Sequence, residues 1–192
     1  MYDITVIDNL LDKQDQEHIE KFMTGDEFPW FFSQAGYYNT TTFVTEETKH
    51  LIENNPNIKE YFVLSHTTFD ERGTVSSFNE PCVKILESVV KEKYNLLRIK
   101  CNLSTKIESF KSHEHNIPHT DFQIDNCKTM LYYVNDSDGD TFFYNNSGTV
   151  IKKVSPKKGR AIVFDSNILH AGSHPSKSEK RLTINYNFKI CK

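Results

Sequence analysis

No run of the chain approaches the roughly 18 consecutive apolar residues of a membrane-crossing helix. The N-terminal "MYDITVIDNL" carries acids early, where a secretion signal would have a continuous apolar segment. C-x-x-C pairs are missing as well. Cys82, Cys101, Cys127 and Cys191 stand apart, which excludes a zinc knuckle. The expectation is a cytoplasmic protein with free thiols and no membrane partner, whose Asn-x-Ser/Thr triplets at Asn39, Asn102 and Asn145 meet no glycosylation machinery. Basic excess is also lacking. The net charge is -3, so nothing announces a phosphate-tracking groove, and a nucleic-acid partner is disfavoured. Internal repeats and low-complexity tracts are absent.

What remains suits one soluble domain. The 192 residues are enough for a sizeable core and short for two domains. The 14 Phe and 9 Tyr favour β structure with a walled pocket over a helical bundle. "YDITVID" reads as a strand. Ile19, Phe22 and Met23 give helical spacing over Asp12 to Met23, with Gly25 as a stop. "FPWFFSQAGYY" is aromatic-rich. Trp30, Phe31, Phe32, Tyr37 and Tyr38 either wall a substrate entrance or form a seam between helix and sheet. "EYFVLSHTTF" reads as a strand. Asn79 is expected to cap a second helix, with Pro81 in its first turn and Val83, Leu86, Val89 and Val90 on one apolar face.

After about Leu96 the texture changes. "LLRIKCNLST", "KTMLYYVN", "DTFFYNN", "GTVIKKVSP", "GRAIVFDS" and "RLTINYNFKI" are short strand candidates. Turn residues separate them at Asp138-Gly139, Asn146-Ser147-Gly148 and Pro156-Lys157-Lys158-Gly159. The helices precede the strands, which argues against a βαβ sheet. The expected fold is mainly β: a jelly roll (double-stranded β-helix) core at about 96–190, with N-terminal α-helices in about 1–95 buttressing one side, all one domain over 1–192.

"NIPHTDFQID" puts His119 and Asp121 two apart, on one face if the segment is extended. "NILHAG" follows the strand "AIVFDS" and offers His170. If the three converge, two imidazoles and a carboxylate occupy one face of an octahedral ion and leave the other positions open, the pattern of non-haem Fe(II) oxygenases. In "RLTINYNF", Arg181, Thr183, Asn185 and Asn187 alternate with Leu182, Ile184, Tyr186 and Phe188. Either this is a half-exposed strand with a solvent face, or its polar face lines a barrel mouth. In the second case Arg181 offers a two-pronged donor to a carboxylate, because a buried guanidinium demands an anion.

The order His-x-Asp, distal His, then Arg-x-Thr eleven positions on resembles the 2-oxoglutarate- and Fe(II)-dependent dioxygenases, most of all their prolyl-4-hydroxylase-like branch. "TMLYYVND" and "DGDTFFY" resemble that branch's Tyr-Tyr-Leu-Asn and Gly-Gly-Glu-Thr strands. "LLRIKCNL", "FPWFF" and "RLTINYNF" are similar to small phage-type members. The resemblance implies that His119, Asp121 and His170 are the catalytic iron ligands. It implies that Arg181, Thr183 and Tyr133 hold the far carboxylate of 2-oxoglutarate, and that Asn102 lines the cosubstrate pocket. For Tyr133 the alternative is a core aromatic with its hydroxyl satisfied elsewhere. Asp138-Gly139-Asp140 departs from the family's paired glycines in a turn expected to lie away from the iron. Implied cofactors are Fe(II), 2-oxoglutarate and O2, with ascorbate an optional addition. The implied activity is hydroxylation of an unactivated C–H, peptidyl proline being one candidate, with release of succinate and CO2.

The substrate, a peptide or protein or a small molecule, is not written in these motifs, nor is the oligomeric state. "HEHNI" is not H-E-x-x-H, so a zincin is disfavoured. His113, Glu114 and His115 with His170 imitate a cupin. Such a protein, or a non-catalytic jelly-roll binding module, has no need of Arg181. His113 and His115 are expected in a mobile loop at the pocket mouth.

Overall fold

A computed structural model describes residues 2–33, 55–59 and 61–191. Tyr37 and Tyr38 lie outside the described residues. In chain order the elements are β1 (Ile4–Ile7), α1 (Lys13–Met23), β2 (Phe31–Ser33), β3 (Val63–Asp70), β4 (Gly73–Thr74), α2 (Asn79–Val89), β5 (Tyr94–Thr105), β6 (Cys127–Tyr133), β7 (Thr141–Tyr144), β8 (Val150–Val154), β9 (Ala161–Asp165), β10 (His170–Gly172) and β11 (Lys180–Ile190). The large sheet runs β1-β9-β6-β11-β5-β3-β2, with β4 paired to β3, and the small sheet runs β10-β7-β8. Every pairing between these strands is antiparallel. This is the expected mainly β jelly roll. Among the described residues no helix is long and apolar enough to cross a membrane.

The two faces of the large sheet are chemically different because its strands alternate. The even-numbered residues of β11 (Leu182, Ile184, Tyr186, Phe188) join Ile99 and Cys101 of β5 and Met130 and Tyr132 of β6. Against them pack Ile19 and Met23 of α1 and Cys82, Ile85 and Leu86 of α2. Each fully buried Leu or Ile in that layer contributes about 1.5–3 kcal/mol. The helices therefore do buttress one side. The opposite face looks toward the small sheet, where Leu131, Tyr133, Ile162 and Phe164 meet Phe143, Val154 and Ile168.

Local signals explain the helix ends, with one correction. Asp12 caps α1 by accepting from the Asp15 N–H at 2.9 Å. Asn79 does not cap α2. The cap position is Phe78, whose side chain makes no capping bond, and Asn79 is already helical and buried. Its amide is committed to β3 and β4 instead: it accepts from Thr68 Oγ1 at 3.2 Å and donates to Thr74 Oγ1 at 3.1 Å. The aromatic segment divides. Trp30 donates to the Met23 carbonyl at 3.1 Å and packs on Phe28, a seam between helix and sheet, whereas Phe31 and Phe32 are exposed.

Candidate active site

His119 and Asp121 lie in a segment outside the regular strands. It runs antiparallel to the β9–β10 connection. His119 and His170 exchange backbone hydrogen bonds at 2.9 Å each way, and the Asp121 N–H donates to the Ser166 carbonyl at 3.0 Å. This pairing sets the two imidazoles side by side, with ring centroids 4.6 Å apart. Nδ1 of His119 bonds the Ile117 carbonyl at 3.2 Å, and Nδ1 of His170 bonds the Ile168 carbonyl at 2.9 Å. Each ring thus has its Nδ1 proton placed and its Nε2 lone pair left for another partner. Ligand atoms of His119, Asp121 and His170 lie within 4.8 Å of one another. Phe164 packs edge-on against His170 at 4.9 Å and screens it from water.

The Asp121 carboxylate is held by a closed ring of hydrogen bonds. Arg98 Nη2 donates to Oδ1 at 2.9 Å, and Thr129 Oγ1 donates to Oδ2 at 2.8 Å. Asn187 links the two, donating to Thr129 Oγ1 at 2.9 Å and accepting from Arg98 Nε at 3.0 Å. Asn185 adds a longer bond to Oδ2 at 3.3 Å. Burial opposes the charge on Asp121. Even so, His170, Arg98, His119 and the Thr129 hydroxyl hold its carboxyl well below the usual range. Burial also pushes His119 down to about 4, aided by His170 and opposed by Asp121, so the ring is neutral near pH 7. Two imidazoles and one ionised, hydrogen-bonded carboxylate, converging from one side, are the donor set that suits Fe(II).

Beside this lies a second polar cluster. Arg181, Thr183 and Asn187 of β11 are buried, so the polar face of this strand points into the interior between the sheets, not to solvent. The Arg181 guanidinium sits over the Tyr133 ring at 5.5 Å and donates from Nη2 to Thr141 Oγ1 at 2.9 Å, while its Nε is buried without a partner among the described residues. Tyr133 Oη bonds Thr141 Oγ1 at 2.6 Å. Thr183 stands opposite Tyr133 on β6 and Asn102 on β5, which puts all three on one face. Asn102 itself makes only a long bond, to the Lys100 carbonyl at 3.4 Å. The Asp138-Gly139 turn packs against Arg181: a Cβ at Gly139 would fall 3.0 Å from Arg181 Cδ. The turn expected to lie away from the iron thus packs on the guanidinium and on none of the three ligands.

His115 also departs from expectation. It is buried, with Nε2 bonded to Tyr144 Oη at 2.7 Å and Nδ1 to the Asn116 carbonyl at 2.8 Å, while His113 is exposed and neither joins the metal-type cluster. This removes the cupin-like ligand set. Sequence reasoning missed Arg98, Lys100 and Thr129, and placed Asn187 on the polar face of its strand without a role. The signal for the first two is in "LLRIKCNLST", where Arg98, Lys100, Asn102 and Ser104 alternate with apolar residues as in β11.

Residues 101–189 match the family model described as the 2OG-Fe(II) oxygenase superfamily. No curated protein matches the sequence. Among solved structures, a 2OG-Fe(II) oxygenase family oxidoreductase from Burkholderia pseudomallei aligns with a TM-score of 0.67 at 12% identity, covering 97% of this chain and 84% of that one. A viral collagen prolyl hydroxylase from Paramecium Bursaria Chlorella virus-1, solved with 2OG, aligns with a TM-score of 0.56 at 16% identity over 100% of this chain and 97% of its own. A prolyl hydroxylase from Trichoplax adhaerens, bound to a hypoxia inducible factor peptide, gives 0.59 at 14% over 97% and 83%. The family match runs from the C-terminal part of β5 into β11, so the segment 101–189, which holds His119, Asp121, His170 and Arg181, is similar to the 2OG-Fe(II) oxygenase superfamily, and the fold is shared with these solved relatives over nearly the whole chain.

Proposed function

We propose that His119, Asp121 and His170 hold Fe(II), that Arg181, Thr183 and Tyr133 receive the far carboxylate of 2-oxoglutarate, and that Asn102 lines the same pocket. The proposed reaction is hydroxylation of a C–H bond, with peptidyl proline the first substrate to test. The single observation that carries this is the convergence of the three ligand atoms within 4.8 Å, on the same interior as a buried arginine whose Nε has no described partner. The reading treats 1–192 as one domain.

When bound, iron and the diacid supply the oxidative decarboxylation to succinate and CO2 that drives oxygen insertion. The chain's own contribution is positional. The Ile117 and Ile168 carbonyls fix both imidazoles by their Nδ1 protons, so neither ring need reorient to present Nε2. Arg98 and Thr129 hold Asp121 ionised and aimed. Arg181 has lost much of its hydration, and burial pulls its pKa down from the ordinary value while Tyr133 opposes the shift. A dicarboxylate supplies the charge that such a guanidinium lacks, and its planar fork fixes the orientation of that carboxylate. Prolyl peptides are put first because two of the structural relatives are prolyl hydroxylases.

The test is titration calorimetry of Mn(II) and then 2-oxoglutarate into anaerobic wild type, His170→Ala and Arg181→Ala, followed by succinate release and a 16-dalton gain on proline peptides. Wild type should bind both, His170→Ala should lose the metal, and Arg181→Ala should lose the diacid only. A wild type that binds neither is a non-catalytic module and ends the proposal.

A further inference from the structure

The geometry points to Lys100 as a substrate-recognition residue, and to a substrate that carries a carboxylate within a lysine's reach of the bond being oxidised. This rests on the metal and cosubstrate assignments proposed above. On β5, Lys100 stands opposite Asn185 of β11 and Thr67 of β3, so it shares the interior face with Arg98 and Asn102. Asn185 touches Asp121, which places Lys100 one cross-strand neighbour from the metal carboxylate. Arg181 lies opposite Ser104, four residues further along β5, or about 13 Å of strand. Lys100 therefore belongs to the metal end of the interior, away from the pocket for the diacid's far carboxylate. The adjoining positions on β3, Ser65 and Thr67, carry small hydroxyl side chains.

Arg98, Lys100 and Arg181 share this face, and the two arginines have assigned partners. Arg98 is ion-paired with Asp121 at 2.9 Å, and Arg181 is assigned to the far carboxylate of the cosubstrate. Among the described residues no carboxylate lies within ion-pairing distance of Lys100, and Asp121, already committed to Arg98, is the acid whose charge reaches it. A half-buried ammonium without a counter-charge is costly, and a methionine would fill the position without that cost. Burial brings the lysine down to about 8, Arg98 acting in the same direction and Asp121 against it, so the side chain is still mostly cationic at neutral pH. An incoming carboxylate resolves the imbalance, and it does so one strand position from the Asp121 carboxylate.

The experiment uses the full chain loaded with Mn(II) and 2-oxoglutarate under anaerobic conditions, where nothing turns over. Fluorescence anisotropy compares labelled peptides with one proline flanked by glutamate against the same peptides flanked by glutamine. The glutamate peptide should bind at least tenfold tighter to wild type. The preference should fall within twofold in Lys100→Met and be partly kept in Lys100→Arg. Equal or negligible binding of the two peptides to wild type, or a preference that persists in Lys100→Met, overturns the inference. So does a Lys100→Met variant whose defect lies in 2-oxoglutarate affinity, since the lysine then serves the cosubstrate. Failure of wild type to take up Mn(II) or 2-oxoglutarate is scored separately and refutes the underlying reading.

Discussion

Replacing Thr129 by valine removes one hydroxyl, keeps the volume and shape of the side chain, and changes no charge. Thr129 is fully buried, and its Oγ1 donates to Asp121 Oδ2, accepts from Asn187 Nδ2 and meets Ser166 Oγ at 2.9 Å. Losing a hydrogen bond to a buried carboxylate costs about 1.5–3 kcal/mol, and leaving the Asn187 amide short of an acceptor adds roughly 1 kcal/mol. Valine suits a strand, so no propensity loss is added. The expected drop in unfolding free energy is about 2–4 kcal/mol, read as a fall of roughly 1–2 M in the urea midpoint of the metal-free protein. The same hydroxyl orients the oxygen that lies 3.7 Å from His170 Nε2. Removing such an outer-shell partner should weaken Mn(II) binding by about 10–100-fold, measured by electron paramagnetic resonance titration. Thr129→Ser keeps the donor and should recover most of the metal affinity. A Thr129→Val protein that loses stability but binds Mn(II) like wild type would refute the argument that the ring tunes the carboxylate.

Gly139→Ala should both destabilise the fold by about 1–3 kcal/mol and weaken 2-oxoglutarate binding, because the new methyl would fall 2.6 Å from the Ser173 carbonyl and 3.0 Å from Arg181 Cδ; calorimetry reads both. Tyr133→Phe should lower 2-oxoglutarate affinity by about 10–100-fold, the loss of one hydrogen bond to a charged group, with little change in Mn(II) affinity. Asp138 accepts from the Ser176, Lys177 and Ser178 backbone N–H groups and the Ser176 hydroxyl at 2.9–3.2 Å. Burial opposes its charge, but those donors hold its carboxyl well below the ordinary range. A depressed carboxyl contributes stability above its unfolded pKa and loses it as the pH falls toward the folded one. Asp138→Asn should therefore be less stable than wild type at pH 7 in urea melts, and the gap should narrow steadily below about pH 4.

The strand content was legible because alternation and turn residues are local properties. "RLTINYNF" alternates cleanly, yet the pattern alone does not say which face meets water. Two helices from earlier in the chain cover the apolar face, and that turns the polar face inward. His119, Asp121 and His170 could be read as a set because their spacing and a resemblance agreed. Arg98 and Thr129 could not, since a second layer of partners is chosen by cross-strand register, and a bulge between Asn187 and Phe188 shifts that register on β5. His115 misled because a histidine in a polar stretch reads as a loop residue, whereas backbone bonds to Asn57 and Lys59 draw it inside. Asn79 misled in a similar way, because threonines on β3 and β4 compete for its amide.

On the proposed assignment the metal ion does mechanical as well as chemical work. His170 belongs to the small sheet, while Asp121 is tied through Arg98, Thr129 and Asn187 to three neighbouring strands of the large one. An ion gripped by both is a clasp across the sandwich, and mass action then couples the lifetime of the folded chain to metal supply. A cell short of iron would lose copies of this enzyme to proteolysis as well as turnover from those that remain.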